Sequence, residues 1–241
     1  MKLILAVPVP SNPMIDIRCA AWCAALNNHP LVTWKWAQGM DCDEGRNMMI
    51  ARALEDPDMT HMFFLDSDTV PPADAVQQLM DLNMPVVCGV TPILQKDRLF
   101  WNVRTPEDDG WWPKERPLPG WATETSAVGG TTILVTRRVL ESIQYPWFRR
   151  QSQEPVHNEP CFMSGDVWFC ERIRKAGFAI MFSPFVRCHH YKTLDLLALM
   201  EGRTLETAPE PFDGAGRLRP PTAPPARRPV QYELCGPGGP G

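Results

Sequence analysis

The sequence predicts an α/β fold with a mainly parallel central sheet flanked by helices. Over the first 190 residues, short apolar runs alternate with segments of helical character, the pattern of βαβ units. Of the 241 residues, 44% are hydrophobic and 22% charged, which suffices to close one core of ordinary size. From Pro209 onward, nine prolines and six glycines fall within 33 residues, a composition that cannot bury enough apolar surface to order itself. The expected organisation is one folded domain over 1–204 and a Pro/Gly-rich disordered tail over 205–241.

The elements follow in chain order. "KLILAVPVP" reads as a strand. "SNPMIDIRCAAWCAALNN" reads as a helix, with Ser11 or Asn12 as cap, Pro13 in the first turn and Asn27-Asn28 at its end. A second helix is expected over "EGRNMMIARALED", then the strand "HMFFLDSD", the helix "PADAVQQLMDLN" and the strand "PVVCGV". The stretch from Leu99 to Trp121 holds four tryptophans among Pro, Gly and charged residues without a clear period. Its aromatics either pack on the body of the domain or form a cover that offers flat faces to a sugar, with Trp111 and Trp112 as the candidates. "TSAVGGTTILVTRRVLESI" resumes with a strand and a short helix. "SGDVWFCERIRKAGFAIMFSP" gives a helix closed by Gly177 and a further strand, and "LDLLALMEG" reads as a last helix.

A net charge of -4 gives no default argument for nucleic acid or an anionic membrane as partner. "MKLILAVPVPSNP" is broken by prolines and lacks the pattern of a secretory leader, and no apolar run has transmembrane length. The expectation is a soluble, cytoplasmic protein. The eight cysteines are dispersed, and Cys88 and Cys170 lie in apolar runs, which suits reduced thiols rather than a disulfide framework. Cys19 and Cys23 stand one helical turn apart without a second pair, so packing accounts for them better than zinc.

The chemistry concentrates in "FFLDSDTVPP", residues 63–72. On extended backbone, Asp66 and Asp68 point to one face and repel each other unless something positive lies between them. Two acids at a strand end suit a hard cation such as Mg²⁺ or Mn²⁺. In a parallel sheet, strand carboxyl ends are also where ligands collect. Asp68 could instead cap the helix beginning near Pro71.

Taken with its surroundings, the motif resembles the inverting, family 2-like glycosyltransferases of the GT-A fold, a Rossmann-like α/β domain. The resemblance rests on the Arg46-Asn47 pair in "EGRNMMIARALEDPDMTHMFFLDSDTVPPADAVQQLM", on "AVGGTTILVTRRVLESI", and on "SGDVWFCERIRKAGFAIMFSPFVRCHH". These segments cover most of residues 2–190 in the family's order. The resemblance implies that Asp66 and Asp68 hold the cation against the diphosphate of a nucleotide-sugar, a UDP-sugar by family frequency. It further implies that His190 completes the metal shell and that Asp166 is the general base for an acceptor hydroxyl. Adjacent strand histidines point to opposite faces, so only one of His189 and His190 should reach the site.

Arg46, Asn47, Ser67 and the backbone of Val7 and Val9 are the candidates for nucleotide-sugar contact. Asp16 is a looser one, read more simply as a solvated helix residue. Gly129 and Gly130 would let the backbone approach sugar or acceptor, or form a bulge. The sequence departs from the family where a second acid often precedes the base, because that place is Gly165. Two alternatives stay open. One is a sugar-nucleotide nucleotidyltransferase, which would want a Gly-rich basic loop after the first strand. The other is a glycan- or nucleotide-binding module without turnover.

Overall fold

The computed structural model describes residues 2–9, 15–95, 98–105, 107, 110–156, 159–192, 197, 200 and 201. The chain runs β1 (Leu3–Val9), α1 (Ile17–Asn27), β2 (Val32–Gln38), α2 (Cys42–Leu54), β3 (His61–Phe64), β4 (Thr69–Val70), α3 (Ala75–Asp81) and β5 (Val86–Val90). It continues with β6 (Pro92–Gln95), β7 (Arg98–Arg104), β8 (Trp111–Pro113), β9 (Thr123–Thr125), β10 (Ile133–Thr136) and α4 (Arg137–Ser142). The last elements are β11 (Gln151–Val156), β12 (Glu159–Met163), α5 (Gly165–Lys175), β13 (Ile180–Arg187) and β14 (His189–His190).

Seven strands form the central sheet in the order β2-β1-β3-β10-β5-β13-β9. β1 pairs in parallel with β2 and β3, and β13 with β5, whereas β10 runs antiparallel between β3 and β5 and β9 antiparallel to β13. The sheet is therefore mixed, with five strands in one direction and two against it. This gives a Rossmann-like α/β layer structure. The reversal of β10 matters for the site. It brings the start of that strand, with Gly129 and Gly130 just before it, to the edge where β1, β3, β5 and β13 end.

The period-two alternation of each strand divides the core between two faces. Leu3, Leu5, Val7, Phe63, Leu65, Val87 and Leu134 meet α1 and α3 on one side. Ile4, Ala6, Met62, Phe64, Cys88, Ile133 and Val135 meet α2, α4 and α5 on the other. All seven residues of β1 are buried, as expected of a strand covered on both faces. Phe64 meets Phe148 and Phe169 edge-on at 5.5 and 6.0 Å, and these two rings stack at 4.3 Å. This aromatic trio lies at the end of β3, next to the carboxylates that follow it.

Several boundaries differ from the sequence reading. α1 begins at Ile17 and is capped by Asp16, whose Oδ1 accepts from Arg18 N at 2.9 Å. Asp16 is thus an N-cap braced by a bidentate Arg18, not a solvated side chain. The expected caps Ser11 and Asn12 lie outside the described residues. β2 follows α1, in a stretch that carried no expected element. Among the described residues from Leu99 to Trp121, β7 and β8 join β6 in a three-stranded antiparallel sheet. Trp101 and Trp112 are each 4% exposed in the core, while Trp121 stands 71% exposed.

α3 starts at Ala75 with Asp74 before it, so Asp68 is no helix cap. Gly177 (φ +85°) follows the end of α5 in the left-handed conformation that glycine tolerates best. The helix expected over "LDLLALMEG" lies largely outside the described residues, although Leu197 and Met200 are buried in the core. The Pro/Gly-rich tail lies wholly outside them. Cys19, Cys23, Cys88, Cys170 and Cys188 are buried and free. Among the described residues, no helix is long and apolar enough to cross a membrane.

Candidate active site

The site forms where the parallel strands end. β3 stops at Phe64, and the chain turns through Asp66–Thr69, closed by Thr69 N donating to Asp66 O at 3.1 Å. The turn replaces the extended backbone expected there, so the two acids find separate cations. Asp66 Oδ1 accepts from Arg46 Nη2 at 2.6 Å. Asp68 pairs with Lys192, and its Oδ1 lies 3.4 Å from His190 Nε2.

Arg46 sits on α2, itself capped by Asp41. It is 4% exposed. Its Nη1 donates to Asp166 Oδ1 at 2.6 Å, and Nη2 also reaches Gly130 O at 3.3 Å. One guanidinium thus ties together α2, the turn after β3, the approach to β10 and the start of α5. A Cβ on Gly130 would run into Arg46 and Asp166. The glycine is there for close approach to these side chains. Gly129 donates to Asn102 O at 2.8 Å and holds the neighbouring backbone against β7.

Asp166 belongs to the first turn of α5 but does not cap it. The cap is Ser164, whose Oγ accepts from Val167 N at 3.4 Å. The Asp166 side chain is left for Arg46. Asn47 turns to the loop before β11: its Nδ2 donates to Phe148 O at 2.8 Å and its Oδ1 accepts from Phe148 N at 2.9 Å. It braces that loop. Val7 and Val9 are buried within the sheet, and the Val9 carbonyl accepts from Gly39 N at 3.2 Å. The Ser67 carbonyl accepts from Asp16 N at 2.8 Å, joining the turn to α1.

His190 pairs across β14 and β4 with Thr69. Its Nδ1 lies 2.8 Å from Pro92 O. A carbonyl only accepts, so Nδ1 carries the hydrogen. His189 stacks on Tyr191 at 5.6 Å, and Arg18 lies 3.3 Å from the centre of the tyrosine ring. Trp112 packs edge-on against Phe182 at 5.7 Å, and Arg116 lies over its ring at 4.2 Å. Its faces are therefore taken. Trp111 is half-buried, with Arg104 at 5.2 Å from its ring.

The charges order the site further. Burial raises the titration of Asp66 above the usual carboxylate range, against the pull of Arg46. Burial also opposes ionisation of Asp68, but His190 and Lys192 outweigh it and lower its titration. Arg46 is buried, yet Asp166 and Asp66 hold its proton more firmly than usual. Among the described residues, no three of His, Cys, Asp and Glu converge closely enough to hold a metal ion on their own. Asp68 and His190 offer an oxygen and a nitrogen side by side, a set to which an octahedral ion could add substrate phosphates and water.

Two residues escaped the sequence reading. Lys192 carried no local signal. Asp43 had one, an acid three residues before Arg46 on the same helix face.

No family model and no curated protein matches the chain. Among solved structures, A197 from STIV superposes with a TM-score of 0.56 at 18% identity, over 80% of this chain and 86% of that one. The likeness establishes a shared Rossmann-like α/β fold.

Proposed function

We propose that the protein is a metal-dependent inverting glycosyltransferase of the GT-A type, moving a sugar from a nucleoside-diphosphate sugar to an acceptor hydroxyl. One observation carries the reading: Asp66 and Asp166, 100 residues apart in sequence, meet on the single guanidinium of Arg46 at the edge where the parallel strands end, the place where open α/β sheets bind ligands. Asp68 and His190 would hold Mn²⁺ or Mg²⁺ beside them, with the donor diphosphate completing the shell; the imidazole favours Mn²⁺. When bound, the ion would offset charge growing on the departing diphosphate.

The chain's own groups account for the remaining chemistry. Arg46 fixes Asp166 through Oδ1. As an acceptor hydroxyl attacks the anomeric carbon, Asp166 takes its proton, and a single displacement inverts that carbon. A UDP-sugar is the first donor to test. In the presence of Mn²⁺, the protein should release nucleoside diphosphate slowly from one member of a panel of UDP- and GDP-sugars. EDTA or Asp68→Ala should abolish nucleotide binding, and Asp166→Asn should bind donor but transfer about 100-fold slower or less. Binding without turnover would favour a recognition module, and no donor binding at all would end the transferase reading.

A further inference from the structure

Gly165, the first residue of α5, faces a carboxylate from another helix. A Cβ built there would overlap the carboxylate of Asp43 on α2. The side chain missing at 165 is thus matched by an acid delivered from position 43. Asp43 Oδ1 lies 4.0 Å from Arg46 Nη1, the same nitrogen that donates to Asp166. Burial, followed by the nearby charge of Asp166, raises the titration of Asp43.

On its other side, Asp43 borders an open hollow of about 560 Å³, within the size range of small-molecule sites. Met48, Tyr145 and Arg150 line it with the acids Asp41 and Glu44. Three acids against one arginine disfavour a diphosphate there, so the donor belongs at the Asp68–His190 end. Exposed tyrosine and carboxylates suit a polyhydroxylated ring, whose C–H face stacks on the aromatic while its hydroxyls donate to the acids.

We infer that this hollow is a saccharide acceptor subsite, and that Asp43 accepts a hydrogen bond from the acceptor and presents its reacting hydroxyl to Asp166. The inference rests on the transferase reading of Asp166. In the step it serves, the hydroxyl proton passes to Asp166 as the acceptor oxygen bonds to the anomeric carbon. The bond from that carbon to the diphosphate breaks, and the nucleoside diphosphate leaves with the electron pair.

The test is calorimetry on wild type, Asp43→Asn and Gly165→Ala, with UDP plus Mn²⁺ as one probe and a panel of methyl glycosides and disaccharides as the other. A saccharide should bind wild type and bind both variants at least 10-fold more weakly, with UDP affinity within twofold throughout. In turnover, the variants should raise the acceptor KM more than they lower kcat. If UDP binds but no saccharide does, or Asp43→Asn binds saccharide like wild type, the role of Asp43 is refuted while the donor reading survives. If UDP fails to bind while saccharide binding depends on Asp43, the transferase reading falls and the hollow stands as a saccharide site.

Discussion

A guanidinium as buried as Arg46 must find anions, and the two it finds would repel each other in its absence. Removing one member of a buried ionic cluster leaves the others uncompensated, at a cost of about 3–5 kcal/mol. Arg46→Met should destabilise the domain by roughly that amount in urea denaturation. The pH dependence has a definite sign. Burial already raises Asp66, and losing Arg46 raises it further, so the folded variant binds a proton more readily than its unfolded chain. Its stability deficit should be largest at neutral pH and shrink as pH falls toward the carboxylate range. A deficit independent of pH would show that lost packing against Phe148, 5.1 Å from the guanidinium, dominates instead. At this scale the sequence was legible where chemistry is local. Asp66 and Asp68 declare themselves by spacing, but their partners do not, because Arg46 lies 20 residues and Lys192 124 residues away.

Elements were legible where the period was strong and obscure where a strand is half-covered. β1, β3, β5 and β13 are apolar enough to be read directly. β2 forms the outer edge of the sheet, with Lys35 and Trp36 exposed, so its pattern never resolves into a clean alternation. The direction of β10 cannot be read from its own residues, because orientation is fixed by where the chain returns to the sheet. Two further side chains take structural roles through packing. Arg137 donates to Asp56 O at 2.6 Å and Leu54 O at 2.9 Å and closes the end of α2. Asn47 clamps the loop at Phe148 through two buried hydrogen bonds. Asn47→Ala leaves both backbone groups unpaired, which should cost about 2–4 kcal/mol by denaturation. It should also quicken hydrogen exchange at the Phe148 amide. An unchanged exchange rate there would show that other contacts hold the loop.

Across the whole molecule, the Trp-rich stretch contributes to the core. Trp112 joins Phe182 of β13 to the three-stranded sheet, and its indole Nε1 donates to Arg116 O at 3.1 Å. Trp112→Ala should cost about 3–5 kcal/mol and lower the thermal midpoint. A loss under 1 kcal/mol would mean that the small sheet is peripheral to stability.

The single guanidinium that gathers the site also sets an order of assembly. In a chain made from its amino end, Arg46 emerges 120 residues ahead of Asp166. Until that partner arrives, an amino-terminal fragment that closed over α2 would bury the guanidinium with its Nη2 on Asp66 and its Nη1 without the Asp166 acceptor. Nascent pieces therefore gain by keeping that open nitrogen hydrated, and full closure of the site waits for the start of α5 to be translated.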